Sequence, residues 1–199
     1  MKYHHLKNTF FGSNTFIVEG IRKKVVVVDP GEPDAKSLIS RLVDNNWIIV
    51  GVILTHEHID HIAGLARLSK VGDFPVCCSE ITSFNIGDCR ENFSKYIDGI
   101  DPCELDMPTQ IMRDNQLVKL GGMEFRFIDT PGHSPGGACI FTSDAVFTGD
   151  TILNEVAVPL NFPHSNKHQY LMSLKKITTC MKEGMTIFPG HGKPFEYKP

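Results

Sequence analysis

The sequence contains no long hydrophobic run. No apolar stretch approaches the roughly 20 residues that a helix needs to cross a bilayer. The N-terminal stretch MKYHHLKNTFFGSNTF lacks the continuous apolar segment of a secretory signal peptide. The six cysteines fall at irregular spacings without a C-x-x-C pair, which favours reduced thiols in a chain of 199 residues. We therefore expect a cytoplasmic protein that does not associate with a membrane.

The sequence also lacks a large excess of charge of one sign. Its formal net charge is −3, and its lysines and arginines are dispersed rather than clustered. Basic patches of the kind that bind nucleic acid are therefore not indicated. Low-complexity tracts, visible repeats and linkers are absent as well. We expect one domain over residues 1–199 and no nucleic-acid partner, and the oligomeric state stays open.

Hydrophobic patterning indicates a chain in which strands and helices are mixed. The expected elements are strands at 14–19, 24–29, 47–54, 74–79 and 185–188, hairpins at 116–129 and 138–148, and helices at 34–45, 63–70 and 165–181. The run 25–28 is apolar without alternation, as in a strand buried on both faces. Asp34 is a candidate N-cap for the first helix, and residues 80–113 indicate only short helical segments. This order predicts a layered α/β architecture.

Histidine and aspartate side chains follow the ends of several predicted strands. The stretch ILTHEHIDHIAG, residues 53–64, holds three histidines and one aspartate within six positions. Three later stretches share its pattern of an apolar strand, a turn containing Gly or Pro, and a polar residue. Together these four stretches supply His56, His58, Asp60, His61, His133, Asp150 and His191. Because loops at strand ends project side chains into a common cleft, we expect these groups to meet, with Glu57 pointing away.

Seven such side chains exceed what one tetrahedral zinc ion can use. Two ions could use all seven, as a three-histidine group and an aspartate–histidine group that share one bridging carboxylate. The H-E-x-x-H pattern of helical zinc proteases is excluded, because position 60 holds an aspartate rather than a histidine. No serine motif of the G-x-S-x-G type is present either. The residues therefore predict a dinuclear metal site.

The H-x-H-x-D-H motif and the order of the four strand-end stretches resemble the metallo-β-lactamase superfamily. The resemblance runs from GSNTFIVE to FPGHG, which is nearly the whole chain. The stretches TPGHSPG and FTGDTIL are most similar to those of the glyoxalase II-like hydrolases. The resemblance implies an α/β fold of four layers, an αββα sandwich with metals along one edge of the two sheets.

The resemblance also implies a role for each ligand residue. By position, the first metal would be held by His56, His58 and His133, the second by Asp60, His61 and His191, and both by Asp150 as the bridge. Asp29, in VVDPG, matches a family aspartate that supports the ligand turn. Two divalent cations are expected, with zinc as the first choice and iron or manganese as alternatives.

The implied activity is hydrolysis of a thioester or related ester of a small molecule. Two cations would lower the pKa of a bridging water to about 7, which makes hydroxide available as the nucleophile. Asp60 and Asp150 are the expected catalytic residues, because they would help to orient that hydroxide. Pro159 stands where many relatives carry an arginine, and the chain ends eight residues after His191, where glyoxalase II has a helical domain. We therefore expect no specialised hydrolase of glutathione thioesters.

Two other activities and one non-catalytic role stay open on the same fold. A mononuclear iron oxidoreductase of the persulfide dioxygenase type could use His56, His133 and Asp150 as its metal-binding face, but the other ligands would then have no role. A phosphodiesterase or nuclease is disfavoured by the acidic charge balance. A non-catalytic metal-binding protein would leave an open dinuclear centre without use.

Several further side chains have ordinary structural interpretations. His164 and His168 lie between Asp150 and His191, and we expect both to be solvated. Cys139 follows a ligand loop and is expected to pack within a strand. Phe10 and Phe11 are expected to pack against the core rather than to flank the cleft.

Overall fold

The first of two six-stranded sheets contains most of the N-terminal half of the chain. The computed structural model describes residues 1–199. In their order across the sheet, its strands are β1 (Tyr3–Lys7), β2 (Asn14–Glu19), β3 (Lys24–Val28), β4 (Ile48–Ile53), β5 (Val76–Cys78) and β6 (Gln110–Ile111). β1, β2 and β3 pair in antiparallel fashion, and β3 to β6 are parallel.

The second sheet is also arranged in sequence order. Its strands are β7 (Leu117–Leu120), β8 (Met123–Asp129), β9 (Ala138–Phe141), β10 (Ala145–Gly149), β11 (Thr186–Pro189) and β12 (Phe195–Glu196). β10 and β11 pair in parallel, and the other pairs are antiparallel. As a result β8, β10 and β11 all run in one direction, and their carboxyl ends lie at the same edge of the sheet.

Helices cover the outer faces of the two sheets. They are α1 (Lys36–Asp44), α2 (Ile59–Ile62), α3 (Leu65–Leu68), α4 (Glu80–Asn85) and α5 (Lys167–Thr178), with a 3₁₀ turn at Ser94–Tyr96. The first three pack their apolar side chains on the first sheet, and α5 packs on the second through Ile177. The four layers confirm the predicted αββα sandwich. None of the helices combines the length and the apolar character that crossing a bilayer requires.

The apolar run of β3 shows how the layers are held together. Val26 and Val28 face the second sheet, where they join Phe125, Phe127 and other residues of the core between the sheets. Val25 and Val27 point the other way, into the core beneath the helices. All four valines are buried. A strand between two apolar layers needs no polar face, and this confirms the sequence interpretation of the run.

Some local predictions were wrong. The N-cap of α1 is Ala35, in the left-handed region at φ 49°, whereas Asp34 lies one residue earlier and accepts a hydrogen bond from the Lys36 amide. The helix expected over 63–70 is confined to the four residues of α3, with α2 before it. β1, β6 and β12 were not predicted, and 185–188 is therefore not the last strand. All three lie at sheet edges, and β6 and β12 have only two residues each, too few for an alternating pattern to be recognised.

The two sheets are linked at one edge by Asn14, the first residue of β2. Its side-chain amide donates to the carbonyl oxygens of Pro189 and Gly192 at 2.9 Å and 2.7 Å. Its backbone amide donates to Gly190 at 2.7 Å. These bonds fix the loop after β11 against the first sheet, at the edge where the functional side chains gather. All six cysteines are free thiols, as expected, and Cys139 is buried in β9.

Phe147 offers a test of the core between the sheets. Its ring is 1% exposed and stacks on Phe188 with the ring centroids 4.8 Å apart. Phe147→Ala should therefore lower the free energy of unfolding by roughly 3–5 kcal/mol, since it removes buried apolar surface and leaves a cavity. Phe84→Ala deletes the same atoms from a ring that is 77% exposed. This variant should change the free energy of unfolding by less than about 0.5 kcal/mol. Denaturant unfolding of both variants measures the difference, and equal effects would contradict this packing.

Candidate metal centre

The structure brings all seven predicted ligand side chains to one edge of the sandwich. The stretch from His56 to His61 follows β4 in the first sheet and continues into α2. His133 follows β8, Asp150 follows β10, and His191 follows β11 in the second sheet. The parallel direction of these strands explains the convergence, because loops at the same end of parallel strands are neighbours. Six of the seven side chains have little exposed surface, and His191 is the most open.

Three histidines form the first group. The ligand nitrogens of His56, His58 and His133 lie within 4.8 Å of one another. Nε2 of His133 lies 3.1 Å from Nδ1 of His58, within hydrogen-bond distance, so the two nitrogens are directed at each other. His56 and His58 point to the same side of the extended turn, and the side chain of Glu57 points away from them, as the alternation predicts.

The second group combines one carboxylate with two imidazoles. The ligand atoms of Asp60, His61 and His191 also lie within 4.8 Å of one another. Oδ2 of Asp60 is 3.2 Å from Nε2 of His191 and 3.6 Å from Nε2 of His61. Because His61 is in the short helix α2 after the first sheet and His191 follows β11 of the second sheet, this group joins the two halves of the sandwich.

Asp150 lies between the two groups. Its Oδ1 atom is 3.6 Å from Nε2 of His61, whereas its Oδ2 atom is 3.4 Å from Nε2 of His133. Oδ2 also lies 3.5 Å from Nε2 of His191. The carboxylate thus approaches both groups, as a shared ligand requires. Close approach is permitted by Gly190, since a Cβ atom at that position would collide with Oδ1 of Asp150.

Asp29 orients a histidine of each group. Its Oδ2 atom accepts from Nδ1 of His61 at 3.0 Å and from the Thr55 hydroxyl at 2.6 Å. That hydroxyl lies 3.1 Å from Nδ1 of His56, and it can accept the His56 proton because its own proton goes to Asp29. Oδ1 of Asp29 accepts from the Thr55 amide at 2.8 Å. With the Nδ1 atoms protonated, the Nε2 atoms of both rings are left as ligands.

Two further contacts hold the remaining loops. Nδ1 of His133 donates to the backbone carbonyl of Pro159 at 2.8 Å, so this proline fixes the ring although its side chain is inert. The carboxylate of Glu57 is buried and accepts from Thr82 and Asn85, each at 3.2 Å. Burial raises the pKa of Glu57, and its hydrogen bonds oppose that effect. The contact of Pro159 could not be predicted from the sequence, because every residue has a backbone carbonyl. The position of Glu57 between two ligand residues did indicate that its side chain points away from them.

The electrostatics of the cluster suit cations. Burial and the neighbouring imidazoles hold the pKa values of His56 and His58 well below their usual range, so both rings are neutral and can act as ligands. Burial opposes a charge on His61, but Asp60 and then Asp29 outweigh it and raise its pKa to about 10. The carboxylates thus attract positive charge into the cluster, which a metal ion supplies in place of a proton.

Unpaired polar atoms provide a direct test of whether this site fits metal ions. Nε2 of His56, Nε2 of His61 and Oδ1 of Asp150 are buried and have no hydrogen-bond partner. Leaving such an atom without a partner costs about 1–3 kcal/mol. All three point into the cluster, and nitrogen and carboxylate oxygen are ligands for zinc, iron and manganese. The residues therefore fit divalent metal ions, and the donor set does not choose among these metals.

A cleft of about 640 Å³ opens onto the cluster. Its floor carries His58, Asp60, His133, Asp150 and His191, and its walls carry mostly apolar residues from Phe11, from 93–97 and from 153–163. The expectation that Phe11 packs against the core was wrong, since its ring lines the cleft and is 59% exposed. Phe10 does pack on the core beneath the helices. His164 and His168 are exposed, as predicted.

Gly190→Ala tests the close approach of Asp150. Gly190 has no left-handed backbone, so the added Cβ acts by collision, first with Oδ1 of Asp150 and then with Cε1 of His61, which is also a ligand residue. We expect the variant to bind Zn²⁺ at least about tenfold more weakly, as when a group that orients a ligand is disturbed. Gly72→Ala is the matched control, because a Cβ there would meet no atom within 4 Å. Competition titration with a chelating dye measures both affinities, and equal affinities would rule out this role for Gly190.

Comparison with known proteins agrees with this geometry. A probable metallo-hydrolase of Streptococcus pyogenes is 29% identical, over 96% of this chain and 84% of its own length. Hydroxyacylglutathione hydrolase GloC of Haemophilus influenzae is 24% identical, over 92% of this chain and 87% of its own. The crystal structure of the BLEG-1 B3 metallo-beta-lactamase superposes with a TM-score of 0.90 at 23% identity, over 98% and 94% of the two chains. The family model of the metallo-beta-lactamase superfamily matches residues 8–191, and the chain therefore belongs to that superfamily.

Proposed function

We propose that this protein is a dinuclear metal-dependent hydrolase that cleaves a thioester or a related ester. The observation that carries the proposal is the pair of donor groups that meet at Asp150, one of three histidines and one of Asp60 with two histidines. His56, His61 and Asp150 form a third set within 4.8 Å that joins the two groups, and one tetrahedral ion cannot coordinate all seven side chains. Two ions account for all of them.

The ligand assignment follows from the two groups. The first ion would be held by His56, His58 and His133, the second by Asp60, His61 and His191, and both by Asp150. When bound, the two cations supply Lewis acidity, which lowers the pKa of water and stabilises negative charge on a carbonyl oxygen. Zinc is the metal we expect first, and iron and manganese suit the same donors.

The protein's own groups would perform the remaining steps. Asp60 and Asp150 face the floor of the cleft, where their carboxylates can accept hydrogen bonds from the attacking water and so orient it. Asp29 and Pro159 keep the histidine rings fixed, which limits reorganisation as charge develops. A thiolate is a good leaving group, so a separate general acid is not required for a thioester.

The thioester assignment rests on similarity and on the shape of the cleft. One relative is named as a hydroxyacylglutathione hydrolase, and two sequence stretches resemble the glyoxalase II-like enzymes. Pro159 lines the cleft at the position where many such enzymes carry an arginine, and no lysine or arginine lines it elsewhere. We therefore propose a thioester or ester hydrolase without specificity for glutathione.

The persulfide dioxygenase alternative uses fewer of the observed groups. A single iron on His56, His133 and Asp150 would leave Asp60, His61 and His191 clustered without a function. The clustering of these three side chains would then be unexplained. The two activities differ in their need for O₂, which makes them separable in one assay.

The proposal predicts hydrolysis that depends on metal and on Asp150. Protein loaded separately with Zn²⁺, Fe²⁺ and Mn²⁺ should hydrolyse at least one member of a panel of thioesters, lactones and phosphodiesters, and chelators should abolish the activity. Asp150→Ala should lower kcat/KM at least about 100-fold, because it removes the carboxylate shared by two cations. Asp73→Ala, which removes a carboxylate from an exposed loop, should leave it unchanged.

Two results would contradict the proposal. Stoichiometric consumption of O₂ during turnover, followed with an oxygen electrode, would support the dioxygenase instead. Cleavage of phosphodiesters in preference to every thioester and lactone would place the protein among the nucleases of this fold.

A further inference from the structure

We propose that the cleft selects an uncharged, hydrophobic acyl group, so that the substrates are thioesters or esters of apolar acids. This inference rests on the proposed hydrolase function and names its substrate class. It is carried by the walls of the cleft, which the metal chemistry does not use.

An aromatic surface lies directly against the three-histidine group. The rings of Phe93 and Phe162 stack with centroids 5.6 Å apart and an interplanar angle of 28°. Phe93 lies 4.8 Å from the ring of His58, and Phe162 lies 5.6 Å from the ring of His133. A carbonyl that reaches these histidines therefore places its substituent beside two phenyl rings. Apolar and aromatic substituents gain most from such a contact.

The aromatic surface is formed by two loops that line the cleft. Phe93 adopts a left-handed backbone at φ 68°, a costly conformation for a bulky residue that often marks functional sites. Phe162 comes from the loop between β10 and α5. Beyond the ring pair, Nε2 of His164 lies 3.6 Å from the carboxylate of Glu91, which joins the same two loops. Contacts between the two loops thus hold the aromatic surface in place.

Several large apolar side chains of the cleft remain exposed. The exposed fractions are 59% for Phe11, 65% for Tyr96, 59% for Val156 and 40% for Phe162. Single exposed apolar residues are ordinary on protein surfaces, but four that line one cleft above a reactive centre indicate a binding surface. An apolar acyl group would cover them and gain about 0.8 kcal/mol for each methylene buried, a factor of about four in affinity.

The charges in the cleft point to the same substrates. All its acidic and imidazole groups belong to the proposed metal cluster, and no lysine or arginine lines its walls. A carboxylate at the far end of the acyl chain, beyond the reach of the metal ions, would lose its hydration against these walls without gaining a cationic partner, which is costly. The cleft therefore rejects acidic acyl groups, such as a succinyl group, and accepts alkyl and aryl ones.

An acyl series tests this selection in the metal-loaded enzyme. With one small neutral thiol as the leaving group, kcat/KM should rise about fourfold for each methylene from acetyl towards octanoyl until the cleft is filled. A succinyl thioester should react at least about tenfold more slowly than the pentanoyl thioester of similar size. A flat series, or a preference for succinyl, would overturn the inference while leaving a hydrolase in place.

Substitutions in the walls of the cleft give a second test of this selection. Phe162→Ala should flatten the chain-length dependence, whereas Phe84→Ala, which truncates an exposed ring outside the cleft, should leave it unchanged. Val156→Lys should raise the rate with the succinyl thioester relative to the pentanoyl one. The same ratio in the wild type and in Val156→Lys would count against the cleft as the selecting surface.

Binding measurements separate this inference from the hydrolase proposal. Methyl ketones that carry the same acyl groups cannot be hydrolysed, and calorimetry with the metal-loaded protein should show affinities that rise with chain length. Rising affinity without turnover of any thioester would overturn the hydrolase proposal and retain the apolar selection. Turnover of the acetyl thioester with no rise in ketone affinity would retain the hydrolase proposal and overturn the apolar selection.

Discussion

The carboxylate of Asp29 is the contact on which the site depends most. It lies at the end of β3 with a left-handed backbone at φ 50°, buried between the ligand turn and the sheet. From there it fixes His61 directly and His56 through the hydroxyl of Thr55. Because those two rings belong to different donor groups, one buried carboxylate sets the orientation of both. The proposed ligand geometry therefore depends on a residue that would not contact either metal.

The fold supports this arrangement by bringing loops from two sheets to one edge. The ligands come from β4 in the first sheet and from β8, β10 and β11 in the second, and Asn14 ties the sheets together beside them. Such crowding of carboxylates and imidazoles is electrostatically costly unless positive charge is supplied. The buried polar atoms that lack partners mark where that charge belongs. The fold and the donor chemistry thus independently indicate a site for divalent cations at this edge.

Much of this was predictable from sequence, because strand-end ligands follow apolar runs that are easily recognised. The valines of β3 lie between two apolar layers, as their unbroken apolar run indicates. The stretch from His56 to His61 lies at a sheet edge among other ligand side chains, as its position after a strand indicates. The walls of the cleft were not predictable, since Phe93 and Phe162 lie in irregular loops and meet only through tertiary contacts. The role of Pro159 depends on a backbone carbonyl, which any residue supplies. Asp34 was misassigned as the N-cap because Ala35 adopts a left-handed conformation that its side chain does not favour.

Metal titration of the wild type and of Asp29→Asn tests the central claim most directly. Both carboxylate oxygens of Asp29 accept hydrogen bonds, so the NH2 group of an asparagine must face either His61 and the Thr55 hydroxyl or the Thr55 backbone amide. Either orientation disturbs the contacts that present Nε2 of the two histidines to a metal. We predict two equivalents of Zn²⁺ for the wild type, and for Asp29→Asn an affinity at least about tenfold weaker at both sites. Asp73→Asn, an exposed change of the same kind, should bind as the wild type does. Saturation of the wild type at one equivalent, or an unchanged affinity in Asp29→Asn, would contradict this account.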